Sequence, residues 1–465
     1  MPVADLGPEI ALIAGASAAL LLAMVLPQQR LGWCLAPALA ALAVAALWAF
    51  AQRSEARLTF SGTWALDGVT LWARLMIVVA TALCLILAPR WFARDRRHGE
   101  FYTMTLFSAL GAIAMAGAAD LLQLVMAVLL SSVTGYVLAA WHRDWALSVE
   151  AGMKYFLIGA LANALLVIGV ILVMGMAGTS DYAGLKGLDV SSPLALTGLA
   201  LIVSGLAFKL GALPGHAWVP DVAEGAPVPA AAFLTVVPKI GAALALYRLV
   251  HLFPDAEMLR PLIAALSVAT MSLGNLAALW QTDVRRLIGW SSVSQSGYAL
   301  MAVAVADLAP GALPWLIWFL AAYALANVTA FAVVAQLRGR TALSGYAGLA
   351  RTRPAMAAAL IVAFLSLVGI PPLIGFVGKL GLFLVTIDGG YAWLALAAVL
   401  NTVVSLFYYA RVIAPMYFAD PPGAPPATLG LSSHAVVVLC AGALIGVGIG
   451  SSPFLAEALA TVILP

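Results

Sequence analysis

Apolar runs of about twenty residues recur along the whole chain, each closed by a short polar stretch. That is the length an α-helix needs to cross the hydrocarbon core of a bilayer. Fourteen runs are read, at 7–27, 31–52, 66–88, 101–118, 120–141, 149–176, 193–212, 229–251, 260–280, 285–306, 312–337, 355–386, 390–418 and 433–451, the twelfth interrupted. The connections between them leave no room for a soluble domain. The pattern predicts an all-α polytopic membrane protein of about fourteen spans.

Composition agrees and removes other classes. Of the 465 residues, 64% are hydrophobic and 9% charged, against about 25% charged in a soluble domain. A net charge of +3 without a basic tail excludes a nucleic-acid partner and leaves the lipid bilayer as the surrounding phase. The start "MPVADLGPEIALIAG" carries acidic residues and no basic n-region, so a cleaved signal peptide is not expected. Cys34, Cys84 and Cys440 lie far apart and suggest neither a disulfide nor a metal cluster. There is no CxxC, no histidine pair at haem spacing and no Gly-rich nucleotide loop, so any electron transfer belongs to another chain.

Charge then orients the spans. Loops after odd-numbered runs hold Arg30, Arg90, Arg94, Arg96, Arg97, Arg143, Arg285, Arg286, Arg338, Arg340, Arg351 and Arg353, twelve in all. Loops after even-numbered runs hold five, Arg53, Arg57, Lys186, Arg248 and Arg260. The arginine-rich side is expected to be cytoplasmic, with both termini in the periplasm of a bacterial inner membrane.

Lysine is distributed differently. Of five lysines only Lys186 lies in a loop; Lys154, Lys209, Lys239 and Lys379 fall in or at the edge of spans. A charge at the bilayer centre costs about 2.5–3.5 kcal/mol even on a lenient scale. Arginine stays charged there, whereas a desolvated lysine can release its proton. For Lys154 an ordinary (i, i+4) pair with Glu150 near the cytoplasmic end stands beside a place on a proton path.

Helix breaks adjoin two of these lysines. Lys209 is followed by Pro214, Gly215, Pro220, Pro227 and Pro229, while "FLSLVGIPPLIGFVGKLGLF" sets Gly369, Pro371, Pro372 and Gly375 before Lys379. Proline frees a carbonyl four residues back, and freed groups are tolerated in a membrane only against protein or a water-filled cavity. The breaks fall in spans seven and twelve. That odd offset makes them antiparallel, the geometry of an inverted repeat with a transport path at the breaks. His216, in the first break, is either structural or a proton relay. Lys239, after Pro238, is a candidate stepping stone, and the cluster "WSSVSQSGYAL" (290–300) either joins helices or holds water.

The stretch "GLAFKLGALPGHAWVPDVAEGAPVPAAAFLTVVPKIGA" resembles the antiporter-like subunits of respiratory complex I, the proton-pumping NADH:quinone oxidoreductase, and subunit N best. "EAGMKYFLIGALANALL", "DVRRLIGWSSVSQSGY" and "LSLVGIPPLIGFVGKLGLF" resemble the same subunit over roughly 101–417. The resemblance implies a three-helix segment (1–100), two inverted five-helix repeats (101–251 and 252–418) and a C-terminal helix (419–465). It implies that Lys209, Lys239 and Lys379 carry the proton path, to which the reading of the residues themselves adds His216, Lys154 and Glu150 as candidate members. It also implies neighbouring membrane subunits as partners, no cofactor in this chain, and NADH, flavin, iron–sulfur clusters and quinone in partner subunits.

One position departs from that pattern. The family places a glutamate in the fifth span, thought to pair with the seventh-span lysine. Here Leu129 takes its place, and the family register implies that Leu129 faces Lys209. Two other functions stay open at this point, a subunit of a multi-subunit cation/proton antiporter and a structural subunit that has lost its pump.

Overall fold

The fourteen runs are helices in the computed structural model, which describes residues 2–93, 95, 98–254, 258–421, 423 and 430–464. Arg94, Arg96 and Arg97, counted in the charge argument, lie outside the described residues. The first spans are α1 (Gly7–Val25), α2 (Leu35–Ala51), α3 (Gly68–Trp91), α4 (Gly99–Ala116), α5 (Leu121–Ala139) and α6 (Ala146–Ala177). A small antiparallel hairpin, β1 (Arg57–Thr59) and β2 (Trp64–Leu66), joins α2 to α3. After the short α7 (Tyr182–Leu185), the seventh span is two helices, α8 (Pro193–Leu210) and α9 (Trp218–Gly225). The eighth is also divided, into α10 (Val228–Leu234) and α11 (Val237–His251).

Next come α12 (Leu259–Leu279), α13 (Val284–Ala304) and α14 (Ala312–Gln336), then the short α15 (Leu349–Thr352). The twelfth span is the pair α16 (Pro354–Val368) and α17 (Ile374–Asp388), followed by α18 (Ala392–Phe418), α19 (Leu431–Ile449) and α20 (Ser452–Leu459). Among the described residues, eleven segments are long and apolar enough to cross a membrane unaided. The other three of the fourteen are α4, α13 and the broken twelfth span.

The two breaks are built alike. Each first half-helix ends in a left-handed glycine, Gly211 (φ +70°) after α8 and Gly369 (φ +96°) after α16. Each glycine is followed at the same distance by a cis proline bond, Leu213–Pro214 and Pro371–Pro372. The next amide closes back five residues, Ala212 N–H to Ala207 O at 2.8 Å and Ile370 N–H to Leu365 O at 3.0 Å. These are Schellman ends, which satisfy inner carbonyls and leave the outermost for other partners. Matched breaks in spans seven and twelve carry the inverted-repeat architecture.

The segment α10–α11 is buried from end to end, and α13 and α14 nearly so. The outer helices α2, α6 and α18 instead expose leucine, methionine and phenylalanine, such as Leu47, Leu161 and Phe407, as a lipid-facing surface requires. Both termini lie on the face of the loops that follow even-numbered spans. Asp5 pairs with Arg57 at 2.7 Å, and Glu9 with Arg74 at 2.8 Å. At the other end the Leu464 amide donates to Asp67 at 2.9 Å while Arg248 donates to Leu464 O at 2.6 Å. Arg248 and Asp67 are themselves a fully buried ion pair at 2.9 Å.

Candidate functional site

α13 is the polar centre of the molecule. Ser291, Ser292, Ser294, Gln295 and Ser296 give one buried helix hydrogen-bonding groups on several faces, and the freed carbonyls of the neighbouring breaks meet them. Ser296 Oγ donates to Leu210 O at 2.6 Å, capping the end of α8. Its neighbour Gln295 donates through Nε2 to Leu367 O at 3.1 Å, capping the end of α16. Ser291 reaches Tyr409 on α18 at 2.5 Å. The serine cluster joins helices, and it does so where the backbone was left open.

The three interior lysines are buried, Lys209 at 0%, Lys239 at 2% and Lys379 at 3% exposure. Lys239 is held most closely. Its Nζ donates to Ser292 O at 2.7 Å, Ser292 Oγ at 2.6 Å and Ser296 Oγ at 2.9 Å. Ser292 Oγ also contacts Tyr323 Oη at 2.7 Å, which donates to Thr235 O at 2.6 Å. Asn327 completes the group with 2.8 Å to Thr235 Oγ1. Thr235 sits in the gap between α10 and α11, which Pro238 opens because it has no N–H for Leu234 O. Hydroxyls both donate and accept, so Ser292 links Lys239 to Tyr323 in one hydrogen-bonded chain.

Lys379 lies beyond its break but reaches back to it. Its Nζ donates to Val368 O at 3.2 Å, at the C-terminal end of α16, and lies 4.0 Å from the Tyr298 ring centre. The partial negative charge of a helix C-terminus and the face of an aromatic ring both suit an ammonium. Tyr298 Oη continues to Thr402 Oγ1 at 2.9 Å. Lys209, in the last turn of α8, is held loosely by comparison, with Ser131 Oγ at 3.4 Å and the Tyr155 ring centre at 5.9 Å. None of the three forms an ion pair among the described residues.

The expected facing of Leu129 is corrected. The α5 group that reaches Lys209 is Ser131, and Leu129 is half-buried at the edge of the helix's inner stripe. The two residues are about 200° apart around the helix, so they cannot both point at one lysine. The inner stripe is Leu124, Val128, Ser131, Ser132 and Gly135.

Lys154 stands apart from the interior group. It is 43% exposed and pairs with Glu150 at 2.6 Å, as the (i, i+4) spacing predicts, and with Asp221 at 3.2 Å. Asp221 and Glu224 also bind Arg286, at 2.6 and 2.8 Å, making an ionic cluster at the rim. His216 is half-buried in the first break beside Trp290, with ring centres 5.8 Å apart. Its Nδ1 has no partner, and it bonds none of the lysines, among the described residues. Sequence reasoning missed Ser131, Thr235, Tyr323, Asn327 and Tyr298. The available signal was polar groups inside apolar runs, with Tyr323 and Asn327 one turn apart on α14.

Comparison with known proteins places this architecture. The family model described as NADH:quinone oxidoreductase/Mrp antiporter, TM matches residues 118–405. The chain is similar to NADH-quinone oxidoreductase subunit N 1 of Streptomyces griseus subsp. griseus, 43% identical over 454 residues that cover 96% of each chain. It is 45% identical over 363 residues to NADH-quinone oxidoreductase subunit N of a Mycobacterium species, covering 78% of this chain and 77% of the other. A chain of respiratory complex I from Thermus thermophilus superposes with a TM-score of 0.85 at 31% identity, covering 97% of this chain and 98% of that one. A chain of the Mrp complex from Dietzia gives 0.85 at 22% identity, covering 99% and 97%. That likeness is one of fold alone. With matched breaks, buried lysines and full-length relatives all in agreement, the chain belongs to the NADH:quinone oxidoreductase/Mrp antiporter membrane-subunit family, on its subunit N branch.

Proposed function

We propose that this chain is a proton-translocating membrane subunit of an NADH:quinone oxidoreductase, and that Lys239, Lys209 and Lys379 carry the protons. The observation that supports it best is α13, whose adjacent residues Ser296 and Gln295 cap the broken seventh and twelfth spans. Ser296 also holds Lys239 at 2.9 Å, and Lys379 bonds the carbonyl next to the one Gln295 caps. Buried lysines beside open backbone form one polar layer through an otherwise apolar bundle. Residues 101–251 and 252–418 are the two half-channels, 1–100 and 419–465 the flanking segments. Lys154, Glu150 and His216 serve entry to or exit from this layer.

NADH, flavin, iron–sulfur clusters and quinone belong to partner subunits, and their chemistry reaches this chain through neighbouring membrane subunits. An antiporter reading rests on the shared family model and fold, whereas the relatives at 43% and 45% identity are NADH-quinone oxidoreductase subunits N. A purely structural subunit would have no use for three desolvated lysines. The test is pumping in vesicles reconstituted with the whole complex. Lys239→Ala, Lys209→Ala and Lys379→Ala are each expected to reduce pumping with assembly intact. Arginine at any of these positions should not restore it, because arginine cannot release its proton. Full pumping by Lys239→Arg would end the proton-carrier role.

A further inference from the structure

Away from the lysine layer, on the face of the loops that follow odd-numbered spans, the structure has a cavity of about 670 Å³. It lies between the α1–α2 loop, the start of α2 and the end of α3, and its wall is part polar and part apolar. The polar part is Gln28, Arg90 and His98; Leu35, Leu39 and Pro89 supply the apolar part. Arg90 is exposed and has no carboxylate partner among the described residues. His98 is only 3% exposed, yet its Nδ1 has no hydrogen-bond partner among the described residues. Burial holds its imidazole below the ordinary histidine range, so near pH 7 it offers a hydrogen bond and not a charge.

We propose that this cavity seats the headgroup of an anionic phospholipid of the phosphatidylglycerol class, with its acyl chains along α2. Each part of the lipid has a counterpart. Arg90 presents a planar fork of donors to the phosphate diester. The unsatisfied His98 nitrogen meets a hydroxyl of the headgroup glycerol, since a buried polar atom without a partner is destabilising until one arrives. Trp33, 69% exposed and part of the cavity wall, is the residue type that settles at the headgroup level of a bilayer. From there Ala36, Ala40, Ala43, Val44 and Leu47 form one exposed face of α2, at helical spacing. These mostly small side chains leave room for hydrocarbon. A free phosphate would use the arginine and leave this apolar face without a role.

Photoactivatable phosphatidylglycerol, mixed with the intact complex in nanodiscs, tests the assignment. Its cross-links are expected to map to the 35–47 segment. Unlabelled phosphatidylglycerol should suppress them, and phosphatidylcholine should not. Arg90→Gln should lower the yield roughly fivefold, the effect of one arginine near an anionic surface. Ala40→Trp should lower it too while leaving the charge in place. Equal labelling by a phosphatidylcholine probe, or an unchanged yield in Arg90→Gln, would overturn the proposal. So would suppression by inorganic phosphate, which would make the cavity a free-anion site. Cross-links confined to a neighbouring subunit would show that protein, not lipid, fills it.

Discussion

Lys239 makes three contacts to oxygen within 2.9 Å, whereas Lys209 makes one at 3.4 Å. A hydrogen bond to a charged group contributes about 1.5–3 kcal/mol when well made, so the two lysines differ in how tightly their side chains are held. Ser131→Ala removes the hydrogen bond that Lys209 makes among the described residues and is expected to slow pumping severalfold with normal assembly. Leu129→Ala, at the half-buried edge of α5, is expected to leave the rate unchanged. Measuring both in the same vesicles decides the register, and the reverse outcome would restore Leu129 as the facing residue. Outside the membrane, His142 in the α5–α6 loop accepts from Trp91 Nε1 at 3.3 Å and lies 3.4 Å from Asp95. Burial and the charges of Arg338 and Arg285 hold its imidazole down at about 4. The unfolded chain takes up this proton near pH 6.5 and the folded one does not, so stability from this residue is complete above 6.5 and falls between there and pH 4. We predict a loss on the order of 2 kcal/mol over that window, with a flatter melting profile in His142→Gln. The three interior lysines were legible as sequence, because each is a charge where the pattern allows none. Ser131 and Tyr323 were not legible, because the facing residue depends on helix rotation, which apolar runs leave undetermined.

Breaks, rather than spans, distinguish the elements. A Cβ on Gly211 would stand 2.6 Å from Val219 Cγ2 and 3.1 Å from Lys239 Nζ, at a backbone φ of +70°. Left-handed backbone alone costs a residue with a side chain about 1–2 kcal/mol. Gly211→Ala is therefore expected to lower stability by at least that amount and to push Lys239 off Ser296. Pumping should fall further than the melting temperature suggests, and a variant that melts lower but pumps normally would separate Gly211 from the proton layer. The seventh and twelfth breaks were readable because glycine and proline interrupt apolar runs there. The gap between α10 and α11 was not read, although Pro238 marks it. Proline favours the first turn of a helix, and here it opens a new helix inside what looks like one continuous run.

The chain closes on itself at one face of the bundle. Asp67, Arg248 and the Leu464 backbone tie the end of the chain to the start of α3, on the side where Asp5 meets Arg57. Both termini thus share a side, and the twelve-to-five bias in basic residues leads to the prediction that this side is periplasmic. A cysteine in place of the exposed Arg143 is expected to resist membrane-impermeant reagents in intact cells and to react in inverted vesicles. Labelling in intact cells would reverse the orientation. Across the middle of the molecule, Ser296 and Gln295 are neighbours on one rigid helix, each closing a different break. A small turn of α13 would therefore pull both contacts together, as one lever throws both poles of a switch. One helix thus touches both halves of the protein, so a movement that strained one break would bear on the other through the same rod.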